Sequence, residues 1–395
     1  MTLRPKEDIT KILLSTPSYL TGTYEEDDFL LSIAFDDNFR YGPNDKEYFV
    51  LVAKTPPLNR SAGAIIPDYS AIGDVFCIYL SILYGKRFDN HGMIESIGNF
   101  RLPNFPSYSL YTPTLPFNSR MPRPDLEIPP SLHEIRRIAP LLLEGQLDPR
   151  FKRFLISAGR FYLHALQHAE SQPEIAFLDL ITCGEILSYF YNYNQEDLLD
   201  DKMKVDLIRI EKEIKGGSAL VRHIRSRLFS VKRRFVKTVL YLLNSYFFQQ
   251  SESKEIYERF NQEDISKRIK AAYDLRSRYV HTGVNFGKWI EPHPRFNNEI
   301  QMGTPLIDDR ELKMILVWSP TIIGMERIMR FCLLRFMHLN GVFIDLRLEG
   351  KGLSMPENEA VRRRKSSQKL LCRNFLRANW IPKPGLEPGT FRSSV

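Results

Sequence analysis

The sequence predicts an α+β protein in which a smaller N-terminal α+β domain precedes a C-terminal all-α helical bundle. Short apolar segments rich in β-forming residues occur near the N-terminus, prolines crowd the chain between residues 101 and 130, and apolar residues then recur at helical spacing. We expect domains at 1–100 and 131–345, joined by a linker at 101–130. A disordered basic tail is expected at 346–395.

Composition is that of an ordinary globular protein. The chain has 395 residues, which suggests two domains, and 43% of its residues are hydrophobic. Its apolar runs are too short to cross a bilayer and its first twenty residues do not read as a secretory signal, so we expect a cytoplasmic protein without membrane contact. The net charge of +8 favours an anionic partner.

The four cysteines lie far apart and form no Cys-x-x-Cys pair. This spacing argues against a disulfide framework and a zinc ribbon, and it favours buried free thiols.

The first secondary-structure elements are predicted between residues 29 and 85. The segments FLLSIAF and EYFVLVA predict a strand pair, because both are apolar, rich in β-formers and separated by a polar stretch. Residues 74–85, DVFCIYLSILYG, fit a buried helix or a long strand, and we favour the helix.

Eight prolines between residues 101 and 130 exclude a helix or an internal strand there. The interleaved aromatic residues indicate that this segment lies against the protein; they are Phe105, Tyr108, Tyr111 and Phe117. A proline-rich ligand for another domain is the alternative.

Helical spacing of apolar residues continues after residue 130. The predicted helices are 151–170, 173–193, 219–248, 265–280 and 321–339, with a short strand, MILVW, at 314–318. The helix at 219–248 has one apolar face and one cationic face. Its cationic residues are candidates for RNA binding: Arg222, Arg225, Arg233 and Lys237.

Several common site patterns are absent from the sequence. It contains no phosphate-binding loop, dinucleotide-binding glycine motif, His-Glu-x-x-His or Gly-x-Ser-x-Gly. His164 and His168 are four residues apart, but no third ligand accompanies them, so we expect structural or surface roles and no metal or cofactor.

The segment AAYDLRSRYVHTG, residues 271–283, is the most informative in the chain. It predicts a helix that ends at Gly283, with Arg276 in its last turns and His281 at its end. Side chains five residues apart do not share a helical face, so both reach one phosphate only if the helix unwinds or two copies meet. Histidine can transfer a proton at neutral pH and arginine binds phosphate oxygens, which together suit phosphodiester cleavage. Alternatively, both residues interact only with the free carbonyls at the helix end.

The segment YDLRSRYVHTG resembles the signature of HEPN domains, most closely the Apea-like branch: arginine, a polar residue and then histidine after four to six positions. FLDLITCGEILSYF resembles the second core helix of that family, including an internal acidic residue at Glu185. The order of the other helices agrees, so the resemblance covers about half the chain. In place of the glycine that often follows the histidine, this chain has Thr282 before Gly283.

The resemblance implies a metal-independent endoribonuclease. Arg276 would bind phosphate and stabilise the transition state, and His281 would be the general base or acid. Ser277, Asp274 and Glu185 would support them. Members of the family generally act as homodimers, cleave RNA to leave 2′,3′-cyclic phosphate ends, and often serve as toxins or in defence against phage.

Two other functions remain open from the sequence. One is a non-catalytic HEPN scaffold that dimerises and binds nucleic acid, and the other is a helical interaction protein without nucleic-acid binding. For the nuclease, we expect the N-terminal domain to receive a regulatory trigger that controls activity.

Overall fold

The computed structural model describes residues 8–34, 46–57, 67–104, 114–143, 145–194, 198–199, 201–227, 231–293 and 297–344. Helices and strands both occur, which confirms the α+β class. Within these ranges, no helix combines the length and apolar character needed to cross a membrane.

In the described part of the N-terminal region, six strands form one antiparallel sheet. They are β1 (Asp8–Thr16), β2 (Thr23–Glu25), β3 (Phe29–Ile33), β4 (Glu47–Thr55), β5 (Asp89–Ser96) and β6 (Asn99–Phe100), in the spatial order β2-β3-β4-β1-β5-β6. Alternate residues of β4 are buried, as expected of a strand with one covered face. The predicted strand pair is confirmed, since Leu31 of β3 is paired with Leu51 of β4.

The ambiguous apolar run is a helix, α1 (Ser70–Tyr84), as we favoured. It ends at Gly85, whose φ of 63° lies in the left-handed region. The helix covers the sheet: the rings of Phe76 and Phe29 lie 5.0 Å apart, edge to face. Because most of α1 is buried in this way, its sequence is apolar on nearly every side and not only along one face.

Residues 114–130 of the proline-rich segment lie against the protein, as predicted. Leu115, Phe117 and Leu126 are buried, and a 3-10 turn spans Pro116–Asn118. The segment also buries two charged side chains, Arg123 and Asp125. Phe105, Tyr108 and Tyr111 lie outside the described residues.

Ten further helices lie within the described residues. They are α2 (Ala139–Leu142), α3 (Pro149–His168), α4 (Pro173–Phe190), α5 (Asp201–Glu213), α6 (Gly217–Arg227), α7 (Val231–Leu242), α8 (Ser245–Gln249), α9 (Ile265–Thr282), α10 (Arg310–Trp318) and α11 (Ile322–Leu339). 3-10 turns occupy Leu132–Ile138, Ile256–Glu258 and Gly287–Ile290. The predicted helices at 151–170, 173–193, 265–280 and 321–339 are confirmed within a few residues as α3, α4, α9 and α11.

Two predicted elements are wrong. The single helix predicted at 219–248 is interrupted between α7 and α8. Asn244 is extended there, and its side chain accepts from the N–H of Tyr246 at the start of α8. Residues 314–318 are the end of α10 and not a strand. Asp309 is the N-cap of α10, and its side chain accepts a hydrogen bond from the N–H of Leu312.

One hydrophobic core runs from the sheet through α1 to the helices, and it includes Leu51, Ile82 and Phe336. A small separate cluster joins α5 to α6 around Leu207 and Val221. The division into domains 1–100 and 131–345 stays a prediction, and the tail from 346 lies outside the described residues. Cys77, Cys183 and Cys332 are buried free thiols, as expected.

Candidate active site

Helix α9 carries the arginine–histidine motif and ends as the sequence predicts. Gly283 has a φ of 67°, and its N–H donates to the carbonyl of Tyr279 at 2.8 Å. Glycine adopts this left-handed conformation without the strain that a Cβ would cause. Arg276 is therefore about one and a half turns from the helix end, and His281 lies in the last turn.

Arg276 faces α4. Its Nη2 donates to Oε2 of Glu185 at 3.3 Å, and the two side chains are 25% and 13% exposed, respectively. The guanidinium lies 5.9 Å from the ring centre of Tyr273. Burial raises the pKa of Tyr273, and a hydrogen bond to Glu185 raises it further. Glu185 thus contacts both Arg276 and Tyr273 and fixes the arginine beside α4.

His281 is exposed on a different face of the same helix. Because α9 is continuous through Thr282, the two motif residues point about 140° apart around the helix axis. The helix does not unwind to bring them together, so one copy of the chain does not place both on one phosphate. Their convergence between two copies stays a prediction.

His281 borders an open groove of about 790 Å³ between α9 and α10. Helix α9 contributes Lys267, Lys270, Asp274, Ser277, Arg278 and His281. Helix α10 contributes Glu311, Met314 and Trp318. We call this the α9–α10 groove. It brings together His281 and the predicted supporting residues Ser277 and Asp274, whereas Arg276 and Glu185 lie on the α4 side.

Both acidic residues of the groove have basic partners. Asp274 accepts from Nζ of Lys232 at 2.5 Å. Glu311 accepts from Nη1 of Arg278 at 3.0 Å, and Arg278 also binds Asp309. These pairs hold α9 against α7 and α10.

The predicted RNA-binding cations do not form one continuous face. Arg222 is exposed on α6, the helix that also contains Arg225. Arg233 on α7 donates to the carbonyl of Leu198 at 3.0 Å, and Nζ of Lys237 lies 5.6 Å from the ring centre of Tyr193. Arg233 and Lys237 therefore have contacts within the protein.

The histidine pair on α3 has a local contact: Nδ1 of His168 lies 2.9 Å from the carbonyl oxygen of His164. Across the residues that the structure describes, no group of three or more His, Cys, Asp or Glu is arranged to hold a metal ion.

A buried ion cluster was missed from the sequence. Its members are Arg123, Asp125, Glu252, Glu299, Glu326, Arg327 and Arg330. Arg123 donates to both oxygens of Glu326, at 3.0 and 2.5 Å, and to Glu252 at 2.6 Å. The sequence did hold a sign of this cluster. In the segment TIIGMERIMRF of α11, charged residues occur among apolar residues all around the helix and are not confined to one polar face, which indicates that they are buried.

Comparison with known proteins gives no relative: no family model, curated protein or solved structure matches this chain.

Proposed function

We propose that this protein is a metal-independent endoribonuclease of the HEPN type, with Arg276 and His281 as its catalytic residues and a homodimer as its active form. Defence against phage or toxin-like growth control is the proposed setting. The observation that carries the proposal is the contact of Arg276 with Glu185, because it joins the two helices whose sequences resemble the family's core.

The positions of the two residues suit different tasks. Arg276 is partly buried and held by a carboxylate, so its guanidinium is oriented before a phosphate arrives. His281 is exposed and able to approach a ribose. Val280 and Val284 near it are 53% and 39% exposed, and such apolar side chains favour contact with a second copy.

In the proposed reaction, His281 removes the proton from a ribose 2′-hydroxyl, and the 2′-oxygen attacks the adjacent phosphorus. The bond from phosphorus to the 5′-oxygen breaks, and the leaving oxygen takes a proton from water. Arg276 stabilises the negative charge on the phosphate oxygens. The products are a 2′,3′-cyclic phosphate and a 5′-hydroxyl.

The test is cleavage of end-labelled single-stranded RNA by the purified full-length protein in excess EDTA. We expect cleavage by the wild type and at least about a hundredfold slower cleavage by His281→Ala and by Arg276→Ala. His168→Ala and Arg160→Ala are matched controls, because both replace exposed helical residues away from α9. Equal rates in all five proteins would overturn the assignment.

Mixing the two inactive variants tests the dimer. If each site takes Arg276 from one copy and His281 from the other, a re-equilibrated mixture of Arg276→Ala and His281→Ala forms one intact site in each mixed dimer. About a quarter of wild-type activity should return. A dimeric wild type that cleaves no RNA would favour the non-catalytic scaffold instead.

A further inference from the structure

The α9–α10 groove carries excess positive charge close to His281. Its acidic residues Asp274 and Glu311 are paired with Lys232 and Arg278. Lys267 and Lys270 are exposed, and neither has an acidic partner among the described residues. Two cations are therefore available for an anionic ligand.

An aromatic side chain lies beside these lysines. Trp318 ends α10, is partly exposed and lines the groove. Nζ of Lys267 lies 5.0 Å from its ring centre, and the guanidinium of Arg268 lies 5.3 Å from it. Met314, one turn earlier, is 60% exposed. The groove thus combines an apolar surface suited to a flat ring with cations suited to phosphate.

We propose that the α9–α10 groove binds single-stranded RNA, with a base against Trp318 and backbone phosphates on Lys267 and Lys270. The combination of an aromatic surface and unpaired lysines is that of single-strand binding sites, in which stacking is tolerant of sequence and phosphate contacts supply much of the affinity. A duplex keeps its bases stacked on one another and does not offer a free base to Trp318.

The groove leads toward the reacting residue. Lys267 and His281 are fourteen residues apart on one continuous helix, a distance of about 21 Å along its axis. Stacked nucleotides rise by about 3.4 Å each, so several nucleotides separate the base on Trp318 from the bond near His281. This placement of the cleaved bond rests on the proposed function, whereas the binding itself does not.

The experiment measures RNA binding separately from cleavage. Every variant is made in full-length His281→Ala protein, and fluorescence anisotropy reports binding of a labelled twelve-nucleotide RNA and of an abasic strand of equal length. The double variant Lys267→Ala, Lys270→Ala should weaken RNA binding about tenfold. It should also lower the slope of log Kd against the logarithm of the salt concentration by about one to one and a half. Lys212→Ala with Lys215→Ala, exposed lysines outside the groove, should leave both unchanged.

The role of Trp318 in base stacking is tested by comparing binding of the RNA with binding of the abasic strand. Trp318→Leu keeps an apolar side chain but removes the ring, and it should weaken binding of RNA about tenfold while leaving binding of the abasic strand unchanged. Trp318→Phe should retain most of the preference for bases. Thermal melting of each variant establishes that it is folded.

The outcomes separate the two proposals. If the groove variants lose RNA binding, the proposal that the groove binds RNA is supported even when the wild type cleaves nothing. In that case only the nuclease assignment fails. Wild-type cleavage together with unaltered binding in folded groove variants overturns the groove and leaves the nuclease. If the groove variants bind RNA as before but change their oligomeric state, the groove is not an RNA site and instead contacts a second copy of the chain.

Discussion

Glu252 shows how burial and neighbouring charges act on one ionisable group. Burial raises the pKa of this carboxyl group to about 8; Arg123 opposes the shift, and the negative charge of Asp125 adds to it. The ordinary pKa is 4.5. Between these pH values the folded protein holds a proton that the unfolded chain does not. The stability contributed by Glu252 is therefore fully present below pH 4.5 and is lost as the pH rises through 8.

Glu252→Gln should remove this pH dependence, because glutamine resembles the protonated carboxyl group at every pH. We expect the variant to be close to the wild type at pH 5 and to exceed it by on the order of 4 kcal/mol at pH 9 in urea-unfolding measurements. Glu263→Gln, at an exposed position, is the control and should show no such difference. The same stability difference at both pH values would refute the assignment of the shift to Glu252.

At the scale of elements, Asp309 both begins α10 and joins it to α9. Its Oδ1 accepts from the N–H of Leu312 at 2.9 Å, and its Oδ2 binds Arg278. Asparagine caps a helix as well as aspartate does but carries no charge. The two roles can therefore be separated by substitution.

Asp309→Asn should cost only a few tenths of a kcal/mol, because the pair with Arg278 is partly exposed. Asp309→Ala should cost about 1 kcal/mol more, because it also removes the cap. Urea unfolding of both variants measures the difference. Equal destabilisation would show that the ion pair, and not the cap, accounts for the effect.

The packing of α4 against α7 depends on Gly184, next to Glu185. A Cβ at this position would lie 2.4 Å from the ring of Phe235 and 3.1 Å from the sulfur of Met329. Gly184→Ala should therefore destabilise the protein by about 1–3 kcal/mol in chemical unfolding. In a chain that already carries Phe235→Leu, Gly184→Ala should cost less, because the smaller side chain makes room. An equal cost of Gly184→Ala in both backgrounds would contradict the steric explanation.

Local sequence patterns predicted elements whose signal lies within one segment. Examples are the β-forming residues of β4, the apolar spacing in α3 and α4, and Gly283 at the end of α9. The strand predicted for MILVW was wrong because only its β-forming residues were considered. Asp309, five residues before this run, caps a helix that includes it. The long helix at 219–248 was predicted because apolar spacing continued past Asn244, which in fact begins α8.

The candidate site was predictable only in part. The motif on α9 and Glu185 were identified from resemblance, but their contact joins residues 91 positions apart. The α9–α10 groove was missed because Trp318 and Lys267 meet only after two helices pack together. Contacts of this kind depend on the crossing of helices, which local spacing does not specify.

At the scale of the whole molecule, the sheet and the helices share one core and a buried ion cluster. Arg123 in the proline-rich segment binds Glu326 of α11 and also donates to the carbonyl of Gly85 at 2.8 Å. Asp125 accepts from Arg330 at 3.1 Å. Removing one partner of such a buried pair leaves a charge without compensation, which costs about 3–5 kcal/mol. The segment between the sheet and the helices is thus joined by buried polar contacts to α11 and to the end of α1.

This shared core predicts that the sheet and the helices unfold together. Leu51 of β4 is fully buried, so Leu51→Ala should destabilise the protein by about 2–5 kcal/mol. The three tryptophans, Trp289, Trp318 and Trp380, all follow the sheet in the chain, so their fluorescence does not report the sheet directly. In one cooperative unit, Leu51→Ala lowers the urea midpoint measured by tryptophan fluorescence as much as that measured by circular dichroism. An unchanged fluorescence midpoint would instead mean that residues 1–100 unfold on their own, as the domain division predicted from the sequence requires.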